Sequence, residues 1–171
     1  MQEYRYCPVC AGRLDELQLP TEDRPRLVCS GCGHIFYVNP KVVSGTLPIE
    51  EGKVWLLRRG IEPRAGLWTH PAGYQEWGES TEEAAIRETR EEIGCGVRID
   101  RLLGVYSRAE APVVNVVYLA SFAVANERPR LTAEAVEVAA FGPEGIPWHE
   151  LAFISTERAL HDWIASLGEN R

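Results

Sequence analysis

The stretch from Gly73 to Cys95, GYQEWGESTEEAAIRETREEIGC, constrains this chain more than any other. Ser80 followed by Glu83 has the spacing of a capping box, in which each side chain satisfies a backbone amide of the other residue. Gly94 can end the helix in a left-handed turn. A helix over this span puts Ile86, Thr89 and Ile93 on the core side and Glu88, Glu91 and Glu92 on the opposite side. Pro71-Ala72-Gly73 ahead of it reads as a glycine turn. The three carboxylates oppose helix formation. They repel one another at i, i+3 and i+4, each pair costing roughly a few tenths of a kcal/mol, and they lie toward the negative end of the macrodipole. A divalent cation reverses both effects. Hard oxygen ligands in small number suit Mg²⁺ or Mn²⁺. A solvated acidic face is the alternative for three glutamates taken alone.

The wider pattern separates the two. Gly73, five residues, Glu79, seven residues and then Arg87-Glu88-Thr89-Arg90-Glu91-Glu92-Ile93-Gly94-Cys95 resembles the box of the Nudix hydrolases. Every fixed glycine, glutamate and arginine of that signature is present. Thr89 and Cys95 stand where the family carries aliphatic residues. The resemblance implies hydrolysis of a nucleoside diphosphate linked to another group. It makes Glu88, Glu91 and Glu92 ligands of the catalytic ions, with the carbonyl of Ala72, and it pairs Arg87 with Glu79. In many family members the general base lies on a later loop, so Glu134 and Glu137 are the candidates, with Glu88 as an alternative. Arg58 and Arg59 end a strand directed at the metal face in the family and are candidate phosphate clamps. Solvated arginines at a strand end are the other reading. His70 stands where the family has an apolar residue, as a substrate contact or a hydrogen-bonded structural histidine. Phe36, Tyr37, Tyr74 and Trp77 could stack on a base or simply pack.

Four of the five cysteines come early, as Cys7-x2-Cys10 and Cys29-x2-Cys32. Two matched pairs of this spacing are the pattern of a four-cysteine Zn²⁺ site, closed by sulfur and therefore structural. Disulfides are the alternative and fit poorly with a chain showing no secretory signal. Residues 1–37 are too few to bury much apolar surface, so the metal is expected to hold this ribbon together. Its charged side chains nearly cancel, which argues against a nucleic-acid-binding ribbon. A role in forming a homodimer is left open.

Asn39-Pro40 marks the boundary between this zinc ribbon, 1–37, and a second domain, 38–171. Strands are expected over Lys41–Pro48 and Val54–Arg59, joined at Glu51-Gly52, then over Val97–Ser107, Val113–Ala125 and Ala135–Gly142. A last helix is expected to be capped by Ser155, with Ala159, Leu160, Trp163, Ile164 and Leu167 as its apolar stripe. The fold class is α+β, a helix–sheet–helix sandwich on a mixed sheet, which agrees with the Nudix fold. A net charge of −7 argues against a general nucleic-acid or anionic-membrane surface. The longest apolar run is too short to span a bilayer. A cytoplasmic protein with a small nucleotide substrate is expected.

A zinc ribbon before such a domain resembles the NADH pyrophosphatases. Their Ser-Gln-Pro-Trp-Pro-Phe motif after the box is replaced here by Arg101–Tyr106. A nearer likeness is to FAD and ADP-ribose pyrophosphatases, carried by Asn39-Pro40-Lys41, Trp68-Thr69, Pro71-Ala72-Gly73, Pro112, Glu144-Gly145-Ile146-Pro147 and Leu151-Ala152-Phe153. That likeness implies FAD or ADP-ribose as substrate, cleaved to AMP. NADH or NAD⁺ hydrolysis, and a non-catalytic sensor of ADP-ribose or NAD, are the alternatives.

Overall fold

The computed structural model describes residues 4–124 and 127–169. Its contacts separate into two compact units, one up to Asn39 and one from Pro40 onward.

In the first unit β1 (Leu14–Leu17), β2 (Arg26–Cys29) and β3 (Ile35–Phe36) form an antiparallel sheet in that order. Among its described residues, only Cys7, Leu14 and Cys29 are buried at its centre, with Tyr4, Leu27 and Phe36 packed around them. Phe36 lies on the Tyr4 ring, centroids 4.9 Å apart, so it serves as packing. A core this small cannot offset the entropy of ordering the chain, and a crosslinking metal is the usual remedy.

The second unit begins with a hairpin. β4 (Lys41–Glu50) and β5 (Lys53–Arg59) meet at Glu51-Gly52, with φ of 51° and 72°. Two successive left-handed residues give the tight turn whose twist matches the strands. Then follow β6 (Trp68–Thr69), β7 (Ala72–Tyr74), α1 (Thr81–Ile93), β8 (Val97–Ser107), β9 (Val113–Phe122), β10 (Ala135–Phe141) and α2 (Ile154–Glu169). The sheet runs β10-β5-β4-β9-β8, with β6 beside β5 and β7 beside β4. Every pairing is antiparallel except β4 with β9, so the sheet is mixed.

Strand alternation sends neighbouring residues to opposite faces. Thr46 faces α1, where its hydroxyl meets that of Thr89 at 2.7 Å. Leu47 faces the other way, into a core with Leu56, Leu160 and Trp163 of α2. Leu56 and Leu57 divide in the same way, the latter packing on Ile93 of α1. Each fully buried leucine contributes roughly 1.5–3 kcal/mol. The result is the expected sandwich, with the sheet between two helices.

Four local expectations are corrected. Ala72 and Gly73 are strand rather than turn, paired with Gly45 and Ser44 of β4. β9 ends at Phe122, and Ala125 lies outside the described residues. Ser155 sits inside the first turn of α2 rather than capping it; the amide of Glu157 already donates to Phe153 O at 3.2 Å. Leu167 is 40% exposed, beyond the end of the apolar stripe.

Candidate active site

Helix α1 carries the acidic residues, and its ends are fixed locally. The amide of Glu83 donates to Ser80 Oγ at 3.2 Å, and Glu83 Oε2 accepts from the Ser80 amide at 2.8 Å. Gly94 closes the helix at φ 69°. Thr89, one of the two departures from the box, is fully buried. Its hydroxyl donates to Ala85 O at 2.7 Å, so Thr46 must donate to Thr89. The threonine is matched by a second threonine across the interface.

Arg87 gathers the carboxylates. Its Nε and Nη2 reach Glu79 at 3.0 and 2.7 Å, a bidentate pair. Nη1 reaches Glu88 at 2.7 Å and Glu91 at 3.2 Å, and Nη2 also donates to Tyr74 O. Glu79 further accepts from the amide of Glu76, and Arg87 with that amide holds its carboxyl below the usual carboxylate range. One guanidinium thus ties the loop after β7 to the exposed side of the helix.

Glu92 departs from the expected arrangement. It is 5% exposed, on the sheet side of α1, whereas Glu91 faces solvent. The cause is β7, which folds over the helix so that the Ala72 amide donates to Glu92 Oε2 at 2.8 Å. Burial pushes its carboxyl up to about 8, against the Ala72 hydrogen bond, and the charges of Glu88 and Glu134 push the same way. Burial likewise raises Glu88, opposed by Arg87 and assisted by Glu91 and Glu134. Glu88 approaches β7 so closely that a Cβ on Gly73 would lie 2.2 Å from its carboxyl carbon. Glycine is required there for space. Among the described residues, the three glutamates are not drawn together as the four cysteines are. Arg87 bonds Glu88 and Glu91, while Glu92 accepts from the Ala72 amide. Carboxylate oxygens, with Glu88 and Glu92 raised by burial and by neighbouring charge, nevertheless fit a hard divalent cation.

Alternation along β5 separates the two arginines. Arg58 turns to the Trp68 face, where it meets Gly66 O, Glu137 at 3.4 Å and Glu150 at 2.8 Å. Arg59 turns to the α1 face, donates to Pro63 O and lies over the Phe153 ring at 5.3 Å. The structure therefore sets Arg59 and Glu134 toward the acidic cluster, and Arg58 and Glu137 in an ion pair away from it. A cavity of about 320 Å³ opens beside Ala72 and Gly73, bordered also by Arg59, His70, Tyr74 and Phe153. His70 is buried, its Nδ1 3.1 Å from Thr156 Oγ1, and burial lowers it to about 4, so it is neutral. Trp77 is fully exposed and does not border the cavity. Asn115 was not singled out from the sequence, and Phe153 entered only through the Leu151-Ala152-Phe153 motif, not as a cavity residue. The lone asparagine within the apolar run of β9 was the available signal.

In the ribbon all four cysteine sulfurs lie within 4.8 Å of one another. Cys7 Sγ is 3.8 Å from Cys32 Sγ, and Cys10 Sγ is 3.4 Å from Cys29 Sγ. A tetrahedral zinc with Zn–S near 2.3 Å needs sulfurs about 3.8 Å apart, so the donors fit. Backbone amides of Cys32 and Gly31 lower the Cys29 thiol to about 6, favouring the thiolate a metal requires.

Residues 39–164 match the profile of the NUDIX domain. The chain belongs to the Nudix family. Residues 5–38 match the Nudix N-terminal zinc ribbon. Among solved structures, a NUDIX hydrolase from Nitrosomonas europaea is 35% identical, with a TM-score of 0.85 over 92% of this chain and 88% of that one. An ADP-ribose pyrophosphatase of Methanocaldococcus jannaschii is 33% identical over 87 residues, 48% of this chain and 52% of that protein. A NAD-capped RNA hydrolase of Schizosaccharomyces pombe is 28% identical over 98% of this chain and 45% of that protein. The Nudix chain described here spans about half the length of these curated relatives. Among its described residues no helix is long and apolar enough to cross a membrane.

Proposed function

We propose that this Nudix chain hydrolyses the pyrophosphate bond of a nucleoside diphosphate linked to a second group, ADP-ribose or FAD, and releases AMP. The observation that carries the reading is the acidic cluster of α1 beside a cavity bordered by Arg59. Burial and the charge of Glu134 raise the proton affinity of Glu88 and Glu92, which adjoin Gly73 and Ala72 where β7 borders that cavity. Glu88, Glu91, Glu92 and the Ala72 carbonyl would hold Mg²⁺ or Mn²⁺, which when bound neutralises the phosphate oxygens and lowers the pKa of a coordinated water. Arg87 and Glu79 keep the loop and the helix in register. Arg59 offers its guanidinium to a non-bridging phosphate oxygen.

Glu134 takes the proton of the attacking water. Its charge is felt by both Glu88 and Glu92, whereas Glu137 is engaged with Arg58. The water oxygen bonds to one phosphorus, the bridging P–O bond breaks, and the bridging oxygen leaves with the other phosphate. The products of ADP-ribose are AMP and ribose 5-phosphate. In the ribbon, Cys7, Cys10, Cys29 and Cys32 hold a structural zinc.

ADP-ribose is supported by the name of the Methanocaldococcus jannaschii relative and FAD by the short motifs around the box. A second reading, NADH or NAD⁺, is favoured by one observation: the NAD-capped RNA hydrolase aligns along 98% of this chain, ribbon included. Measuring AMP release from ADP-ribose, FAD, NADH and NAD⁺ side by side ranks them. Activity highest on NADH would overturn the first choice, and binding without AMP release would leave a sensor.

A further inference from the structure

A second cavity, of about 230 Å³, adjoins the first, and Val113, Asn115, Phe153 and Ser155 border both. One elongated ligand can therefore occupy the two. Arg64, Arg108 and Arg158 border the second cavity, and no aspartate or glutamate does. In a chain of net charge −7 this is a local reversal of sign. Arg64 and Arg158 have no carboxylate partner among the described residues, and Arg108 has one exposed pair, with Glu110 at 3.4 Å. Arg64 also holds a φ of 68°, a left-handed backbone that side chains disfavour. Such strain persists where surroundings impose it, and it concentrates at ligand contacts. Ser107, Ser155 and Asn115 add neutral donors to the same wall.

A ribose or an uncharged base does not call for three guanidinium groups. Paired guanidinium N–H groups match the oxygens of a phosphate. We propose that the second cavity binds a phosphate of the substrate other than the two of its pyrophosphate. The inference rests on the hydrolase reading, which puts the pyrophosphate at the acidic end of the first cavity. The additional phosphate has two possible sources: a phosphomonoester on a small nucleotide, or the first phosphodiester of an RNA attached to a nucleotide cap.

Titration calorimetry without added divalent ion tests this independently of turnover. Two ligand pairs are compared: AMP with adenosine 2′,5′-bisphosphate, and NAD⁺ with a short NAD-capped oligoribonucleotide. In one pair the additional phosphate should tighten binding about 10-fold or more. Preference in the first pair assigns the phosphomonoester, and preference in the second the phosphodiester. The preference should fall to within about 3-fold in Arg64→Ala/Arg158→Ala and recover in part with Arg158→Lys. These side chains are exposed, so the variants should unfold at the parental temperature. Equal affinity within both pairs, or a preference untouched in the double variant, overturns the proposal. Failure of the hydrolase reading is a different result, namely no AMP from any of the four nucleotides above.

Discussion

Gly73→Ala separates stability from activity. Gly73 lies in β7 without a left-handed φ, so alanine fits its backbone. The added Cβ would stand 2.2 Å from the Glu88 carboxyl carbon and 2.2 and 2.4 Å from its oxygens. β7 is paired to β4 and carries the Ala72 hydrogen bond to Glu92, so the glutamate tip must yield. Ordinary contact near 3.4 Å requires it to retreat by roughly 1.2 Å. That retreat strains the 2.7 Å bond from Arg87, a loss of about 1 kcal/mol in this partly exposed pair. The glycine-to-alanine change returns about 0.4–1 kcal/mol by restricting the unfolded chain. Net stability should therefore stay within about 1 kcal/mol in urea denaturation. Metal–ligand distances tolerate only about 0.2 Å, and misplacement of a reacting group by about 1 Å costs on the order of 10²-fold. AMP release should fall about 100-fold at unchanged urea midpoint. A variant within about 2-fold of the parent would refute the placement of Glu88 at the reaction centre.

Other outcomes follow from the same geometry. The raised Glu92 carboxyl binds a proton in the folded state that the unfolded chain has lost. Its stabilising effect is full below about pH 4.5 and is lost as pH rises toward about 8, so zinc-replete protein without other divalent ions should weaken by up to a few kcal/mol over that window. Glu92→Gln should flatten this dependence in denaturant titrations from pH 5 to 8; an unchanged slope would assign it to other groups. Thr89→Val leaves the buried Thr46 donor unsatisfied and should cost about 1–3 kcal/mol, with Thr46→Val/Thr89→Val costing less than the two single changes combined. Additive costs in the cycle would deny the pairing. Chelating zinc should abolish amide protection in β1 and β2 while α1 keeps its own, read by hydrogen exchange; protection persisting in the ribbon would mean that metal does not hold it.

What could be read from the sequence was local. The capping box, the Gly94 stop and the cysteine pairs are set by spacings of a few residues, and each has its geometry in the structure. The strand over Val54–Arg59, whose alternation divides Leu56 from Leu57, also followed from local pattern. The burial of Glu92 did not, because it depends on β7 crossing the helix, and helical periodicity carries no information about that. Nor did the cavity walls, where Arg59, Asn115 and Phe153 arrive from β5, β9 and the start of α2. The separation of Glu134 from Glu137 needs only strand alternation, since they lie three positions apart. What the spacing did not show was the partner of Glu137, because Arg58 reaches it from β5 across the sheet.

The most direct measurement is AMP release from ADP-ribose and FAD with Mg²⁺ or Mn²⁺, for the parent and for Glu92→Gln with its fold verified. The account predicts divalent-dependent turnover in the parent and a loss on the order of 10²-fold in the variant. Parental turnover in Glu92→Gln, or turnover indifferent to the divalent ion, would contradict it.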